Sequence, residues 1–236
     1  MQTLNKPINA IKDELFSTNS CAFLPQLYGI WDSVEAIDFE TLPQSFVLKT
    51  NHDCGGVVLV KDKSAFLSDK VALQNALDKL RKHLATNYYT LCREYHYKDI
   101  EPKIFAEEML LEKFENGDFQ YPNNYRIFAF KGSGEAFIQV DDALYFETHK
   151  RYFYDRQWRF QAFSYNMPIC NDCIQKPKNL ALMEKIANIL AFDFVRVDLY
   201  EVGGKIFVGE LTFTPVGGSA RWIPKEIDER LGRLWQ

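Results

Sequence analysis

Two apolar runs near the carboxyl end, FVRVDLYEVGGKIFVGELTFTP from Phe194 to Pro215, carry the residue types best suited to chemistry. Read at a period of two, Arg196 and Asp198 fall on one face of a first strand, and Glu210 and Thr212 on one face of a second. The opposite faces are apolar: Val195, Val197 and Leu199, then Leu211 and Phe213. Gly203 and Gly204 mark the turn, and its length sets the register. A two-residue turn opposes Asp198 to Gly209, whereas a three-residue loop, Gly203-Gly204-Lys205, opposes Asp198 to Glu210 and Arg196 to Thr212. We adopt the three-residue loop, because a slip of one residue sends carboxylates into the core.

Two carboxylates facing each other at about 5 Å repel unless a cation or proton lies between them. Mg²⁺, a hard ion usually held by one or two carboxylates plus substrate phosphates, suits such a face. Arg196 is placed to hold a transferring phosphoryl group or an oxyanion. A surface hairpin with an ion-pair ladder of Arg196 and Asp198 against Glu210 explains the same pattern, and spacing alone leaves both readings open.

Further elements must position this hairpin. The helix preceding it spans 179–192, with Leu180, Met183, Ile186, Ala187 and Leu190 on its apolar side. Two strands, YRIFAFKG and EAFIQVDD, joined at Gly132-Ser133-Gly134, carry Arg126. Earlier, residues 7–16 read as a short helix, 21–31 as a strand, and SFVLK as a strand ending at Lys49. The loop after it, with Gly55 and Gly56, leads into VVLVK. Glycines there let backbone N–H groups approach a phosphate, and Lys49 supplies charge beside them. His52, Asp53 and Cys54 read as a mobile, solvated loop tip.

Residues 69–85 read as an amphipathic helix capped by Ser68 or Asp69, with Leu73, Leu77, Leu80 and Leu84 inward. The aromatic tract Tyr88 to Tyr97 continues that helix or leaves it. KIFAEEML at 103–110 reads as a strand interrupted by Glu107 and Glu108, and 117–124 as a loop. HKRYFYDRQWRF at 149–160 mixes cationic and aromatic residues; nucleic-acid contact is one reading, but a strand lining an anionic ligand site suits the acidic chain better, and a last helix spans 227–235.

A chain of 236 residues, 47% hydrophobic and 15% aromatic, can bury a substantial core as one large domain or two small lobes. A net charge of −4 and a pI near 5.7 argue against a nucleic-acid binder held by phosphate neutralisation. No run of about 18 apolar residues suggests a transmembrane segment, and the chain reads as cytoplasmic. Five cysteines without framework spacing suit reduced thiols, and Cys170 with Cys173 is a lone pair without a partner motif.

In this order, FVLKTNHDCGG, IFAEEML, FVRVDLY and GELTFTP, together with YGIWDS, LPQSFVLK and YDRQW, resemble the TupA-like ATP-grasp family, associated with cell-surface polysaccharide synthesis. The resemblance runs from about Leu24 to the carboxyl end. It implies an α+β ATP-grasp fold, with two small α/β lobes of antiparallel sheet sandwiching ATP, here approximately 24–105 and 106–236 of a single unit. It also implies that Lys49 contacts ATP phosphates under a loop through Gly55 and Gly56. Glu107 would meet the adenine amino group, with Glu108 and Leu110 offering backbone contacts to the base. Asp198 and Glu210 would hold Mg²⁺, and Arg196 would stabilise the transferring phosphoryl group.

The chain departs from the family pattern in places. Thr212 stands where many ATP-grasp enzymes have an asparagine metal ligand. Asn124 and Arg126 replace an aspartate and a lysine at the ribose and phosphate side, and Val216 interrupts a run often written with glycine. Only 48 residues precede Lys49, so the amino-terminal region is expected to be short. Lys6 is a weak match to a first phosphate-binding lysine.

The resemblance implies carboxylate activation by ATP and Mg²⁺, followed by attack of an amine to give an amide. By analogy the acid is a uronic acid of a polysaccharide or its nucleotide-sugar precursor, possible polysaccharide-assembly partners being implied too. A kinase acting on a sugar or other small molecule, and a non-catalytic nucleotide-binding subunit, are the alternatives. Intact Lys49, Arg196, Asp198 and Glu210 argue against the last.

Overall fold

The computed structural model describes residues 24–113, 119–142, 150–170 and 173–235. The expected helix at 7–16, the first residues of the 21–31 strand, Lys6 and His149 lie outside the described residues. The chain divides into two compact units, one over Pro25–Leu110 and one beginning at Leu111.

The first unit is a four-stranded antiparallel sheet, built from β1 (Leu27–Trp31), β2 (Phe46–Thr50), β3 (Val57–Val60) and β4 (Ile104–Glu107) in the order β1-β4-β2-β3. Alternation along β2 sends Phe46 and Leu48 into a core with Val60, Leu80, Ile104 and Ala106, leaving Lys49 on the other face. Two helices follow β3: α1 (Lys63–Ser68), which sequence periodicity did not reveal, and α2 (Lys70–Leu84). The Asp69 carboxylate caps α2, accepting from the Val71 and Ala72 amides at 3.0 Å each. Of the four inward leucines expected on α2, only Leu80 is fully buried. The aromatic tract leaves the helix: Asn87 caps α3 (Tyr88–Cys92), which ends where Arg93 turns left-handed at φ 59°. The strand expected at 103–110 is shorter, ending at Glu107.

The second unit is organised on a five-stranded antiparallel sheet. It comprises β7 (Asn124–Phe130), β8 (Ala136–Asp142), β9 (Lys150–Asp155), β11 (Phe194–Val202) and β12 (Lys205–Thr212), in the order β12-β11-β7-β8-β9. A small ladder pairs β5 (Glu112–Lys113) with β6 (Phe119–Gln120), and β6 falls within the segment 117–124 expected to be loop. One sheet face presents Tyr125, Ile127, Ile138, Val140, Val195, Val197 and Leu199 to α4 (Leu180–Leu190). The buried residues of α4 are Leu180, Met183, Ile186, Ala187 and Leu190, the positions expected from a 3.6-residue period.

The other face is divided along the strands. One half is aromatic, where Phe128, Phe130, Phe137, Phe153 and Phe194 are covered by Phe163, Tyr165, Trp222 and Leu231. This cover comes from β10 (Ser164–Tyr165) paired with β13 (Trp222–Ile223), and from α5 (Glu226–Gly232), the shorter form of the expected last helix. The other half is polar and carries the site.

Candidate active site

The β11–β12 hairpin opposes Asp198 to Glu210, Val197 to Leu211 and Arg196 to Thr212. The route to that register differs from the three-residue loop. Val202 pairs with Lys205 across a two-residue Gly203-Gly204 turn, both glycines having positive φ, and the ladder then shifts between Asp198 and Leu199. Leu199 faces Val208, Asp198 faces Glu210, and Gly209 is the extra residue of a β-bulge. An unbroken strand would place Ile206, Val208 and Glu210 on one face. The bulge reverses the alternation, so Ile206 and Val208 pack toward α4 while Glu210 stands opposite Asp198.

Tyr200 makes glycine necessary at the bulge. A Cβ on residue 209 would lie 2.5 Å from Cε2 of the Tyr200 ring, and the Tyr200 hydroxyl accepts a 3.1 Å hydrogen bond from Asn124 Nδ2. Asn124 was expected to meet a ribose hydroxyl. Its amide N–H is used on Tyr200, while its buried Oδ1 has no partner among the described residues.

Around the hairpin, three arginines converge on two buried aspartates. Arg196 grips Asp198 with two parallel hydrogen bonds, Nε to Oδ1 at 2.6 Å and Nη2 to Oδ2 at 2.9 Å, and also donates to Thr212 Oγ1 at 2.9 Å. Glu210, half-exposed, lies 3.7 Å from Arg196 Nη2. Arg126, opposite Asp198 on β7, approaches Asp198 Oδ2 with Nε at 3.0 Å and bonds Asp141 through Nη1. Arg151 on β9 donates to Asp141 Oδ1 at 2.8 Å and Oδ2 at 3.2 Å. Asp141 and Arg151 escaped sequence reading as individuals. The tract HKRYFYDRQWRF was expected to line an anionic site, yet nothing in its spacing singled out Arg151 or linked it to a partner ten residues earlier.

These contacts set the protonation states. Burial disfavours charge on Arg196, but Asp198, through its charge and its hydrogen bonds, outweighs burial and holds the guanidinium more firmly protonated than usual. Arg126 behaves likewise, burial being outweighed by Asp198 and Asp141. Burial would raise the Asp141 carboxyl, yet hydrogen bonds from Arg151 and the charges of Arg126 and Arg151 keep it below its ordinary range. Arg196, Arg126 and Asp141 are thereby held in their charged forms.

Asp198, Glu210 and the Thr212 hydroxyl are hard oxygen donors side by side on this face. They fit Mg²⁺ as a cation that takes its remaining ligands from phosphate. Among the described residues no three or more His, Cys, Asp or Glu side chains gather as a self-sufficient metal cluster.

In the first unit, Lys49 Nζ pairs with Glu107 across the β2–β4 ladder. Both sequence-derived ligands thus share one sheet face, Glu107 engaged by the lysine. Glu108 closes the end of β4 onto Gln26, its amide donating to Gln26 O at 2.8 Å and its Oε2 accepting from Gln26 N at 3.3 Å. Nearby, burial, with a smaller contribution from the Glu108 charge, raises the Tyr28 hydroxyl above its ordinary pKa. Leu110 is half-buried beyond the end of β4.

Of the three loop residues expected to be solvated, Cys54 is exposed, but His52 and Asp53 are not. His52 is 3% exposed and the Asp53 side chain 1%. Asp53 accepts a hydrogen bond from Thr50 Oγ1 with one oxygen and contacts His83 Nδ1 of α2 with the other. His52 Nε2 lies 3.1 Å from Thr86 O. A Cβ on Gly56 would meet Thr50 Oγ1 at 1.8 Å, and Gly55 adopts φ +93°, so Gly56 is favoured by lack of space and Gly55 by its backbone conformation. Polar residues in a glycine-rich run look solvated, but here burying a carboxylate is offset by two hydrogen-bonding partners.

A family model described as TupA-like ATPgrasp matches residues 17–236. No curated protein matches. Among solved structures the chain is similar to D-alanine–D-alanine ligase from Bacillus anthracis complexed with ATP, at 15% identity and TM-score 0.47, covering 98% of this chain and 63% of that one. It is similar also to the ATP-grasp ligase PsnB complexed with minimal precursor, at 13% and 0.39, covering 98% and 59%. A third is the ADP complex of purK, N5-carboxyaminoimidazole ribonucleotide synthetase, at 14% and 0.44, covering 86% and 42%. The chain spans less than two thirds of the length of each of these.

Proposed function

The chain belongs to the TupA-like ATP-grasp family, and from that premise we propose that it is an ATP-dependent ligase joining a carboxylate to an amine through an acyl phosphate. The observation that carries this reading is the opposition of Asp198 and Glu210 on a sheet face that also presents Arg196 and Arg126. Carboxylates and guanidiniums held side by side suit a phosphoryl group that arrives with a divalent cation.

Asp198, Glu210 and the Thr212 hydroxyl are the residues that would hold Mg²⁺, which supplies charge neutralisation at the β- and γ-phosphates. Arg196 stabilises negative charge on the transferring group. Lys49 neutralises phosphate from β2, exchanging its Glu107 partner for the nucleotide, and the Gly55-Gly56 segment offers backbone N–H groups. Glu107, released, accepts from the adenine amino group, while the backbone at Glu108 and Leu110 meets the base. Asn124 and Arg126 serve the ribose and phosphate side.

In the first step a substrate carboxylate oxygen forms a bond to the γ-phosphorus as the bond to the β-bridging oxygen breaks, and ADP leaves. In the second, the amine nitrogen attacks the acyl carbon, the carbon–oxygen bond to phosphate breaks, and inorganic phosphate and a proton are released. Positioning and electrostatics do the catalytic work, so a protein nucleophile is not needed. The acid we infer is a uronic acid of a cell-surface polysaccharide or its nucleotide-sugar precursor, and the ATP requirement suits the cytoplasm.

A coupled assay for ADP release, run over pairs of uronic acids and amines, tests this reading. Release that requires both, with an amide product detected by mass, is the expected result. Release driven by a sugar hydroxyl alone would replace the ligase with a kinase.

A further inference from the structure

Behind Arg126 lies a layer of buried polar groups. Asp141 is its hub: the carboxylate, wholly buried, accepts from Arg126 Nη1, from Arg151 Nε and Nη2, and from Gln139 Nε2 at 2.9 Å. The layer is closed by Tyr165, whose hydroxyl donates to Gln139 Oε1 at 2.8 Å and whose carbonyl accepts from Arg151 Nη1 at 3.2 Å. The Arg151 guanidinium also sits 4.2 Å from the Tyr165 ring centroid. A buried network with this many mutual bonds fixes its members in one arrangement.

Arg126 is the one member with a divided allegiance. Its Nη1 is bound to Asp141, whereas its Nε lies 3.0 Å from Asp198 Oδ2 without hydrogen-bond alignment. Arg126, Arg151 and Arg196 face Asp141 and Asp198, so the buried groups carry one positive charge in excess, offset by half-exposed Glu210. A divalent cation arriving alone would leave this face strongly positive. Arriving with a polyphosphate, it requires that a guanidinium give up Asp198.

Resting on the nucleotide reading above, we propose that Asp141 is a positioning residue: it pins Arg126 through Nη1 so that the guanidinium can turn its Nε from Asp198 to a phosphate oxygen, withdrawing one of the two guanidiniums on Asp198; Arg196, which holds both carboxylate oxygens, must also turn toward phosphate before Asp198 can meet Mg²⁺. Without that anchor Arg126 settles wholly on Asp198 and competes with the metal. Arg151, Gln139 and Tyr165 act through Asp141 by holding its carboxylate still.

The test is calorimetric titration of ADP into the full chain with and without Mg²⁺, reading the gain in affinity that Mg²⁺ confers. Asp141→Asn should bind metal-free ADP within a few-fold of wild type but lose about 10- to 100-fold of the Mg²⁺-dependent gain, the usual scale for groups that orient a metal ligand. Adding Arg126→Gln to Asp141→Asn should restore the gain even if ADP binds more weakly overall, an outcome that a purely structural role for Asp141 does not produce. If Asp141→Asn does not fold, Arg151→Lys carries the test, with a smaller loss of the same gain expected. A full wild-type gain in the folded variant, or no restoration in the double variant, would overturn the proposal. Wild-type protein that binds no ADP at all would overturn the nucleotide reading, and the proposal with it.

Discussion

Gly209 lies against the ring of Tyr200 so closely that a single added carbon would come within 2.5 Å of it, and this contact marks the bulge that puts Glu210 opposite Asp198. The site thus depends on a residue with no functional group. Gly209→Ala should lower stability by about 1–3 kcal/mol through overpacking, and should weaken MgADP binding more than metal-free ADP binding because Glu210 is displaced. Thermal melts paired with titrations check this; an alanine variant with wild-type values in both would show that the contact is not restrictive.

Lys49→Ala separates a phosphate ligand from a structural ion pair. Lys49 and Glu107 retain 28% and 15% side-chain exposure, so removing the lysine leaves a mostly buried carboxylate short of a partner and should cost about 1–3 kcal/mol, a melting shift of about 2–12 °C. Turnover should fall by about 10²- to 10³-fold, as for removal of one charge-stabilising donor. That melting shift with intact nucleotide affinity would assign the lysine to the fold instead.

The loop at 51–56 is pinned through Asp53 to Thr50 and His83. Hydrogen exchange should therefore find its amides protected in nucleotide-free protein, and Asp53→Ala should accelerate them by about 10-fold or more, the scale of a lost hydrogen bond to a charged group. Equal exchange in both proteins would mean that the buried carboxylate does not hold the loop.

Acid should act on the second unit through Asp141. Its folded pKa lies below the unfolded value of about 3.9, so its contribution to stability is complete above about pH 4 and is lost as pH falls through the folded value. Asp141→Asn, which leaves two guanidiniums poorly compensated, should be less stable at pH 7 by about 3–5 kcal/mol and should show a flatter decline below pH 4. Stability profiles of the two proteins that run parallel would contradict this.

Much of the second unit was legible because it is written in simple periods. The 3.6-residue spacing on α4 and the alternation on β11 located part of the core and put Arg196 and Asp198 on the polar face, while β7 and β8 were legible as a strand pair. The Asp198 to Glu210 register was also found, though by way of a longer turn. A bulge inserts one residue without a sequence signature beyond a glycine, so turn length and bulge could not be separated. Asp141, Arg151 and Tyr165 were hidden for a different reason: they meet only once three strands and the β10 segment are assembled, and each looks like an ordinary surface charge or core aromatic in isolation. Asp53 was misread because its partner, His83, is thirty residues away on α2.

The central claim, that Asp198 and Glu210 together receive a nucleotide-bound Mg²⁺, is most directly tested by titrating ADP into wild-type protein and Glu210→Gln, each with and without Mg²⁺. Glu210 is half-exposed, so its neutral isostere should fold normally. The account predicts that Mg²⁺ tightens ADP binding to wild type by at least about 10-fold, a difference of about 1.4 kcal/mol, and that the glutamine variant loses that difference while binding metal-free ADP as well as wild type. An undiminished Mg²⁺ effect in Glu210→Gln would contradict it.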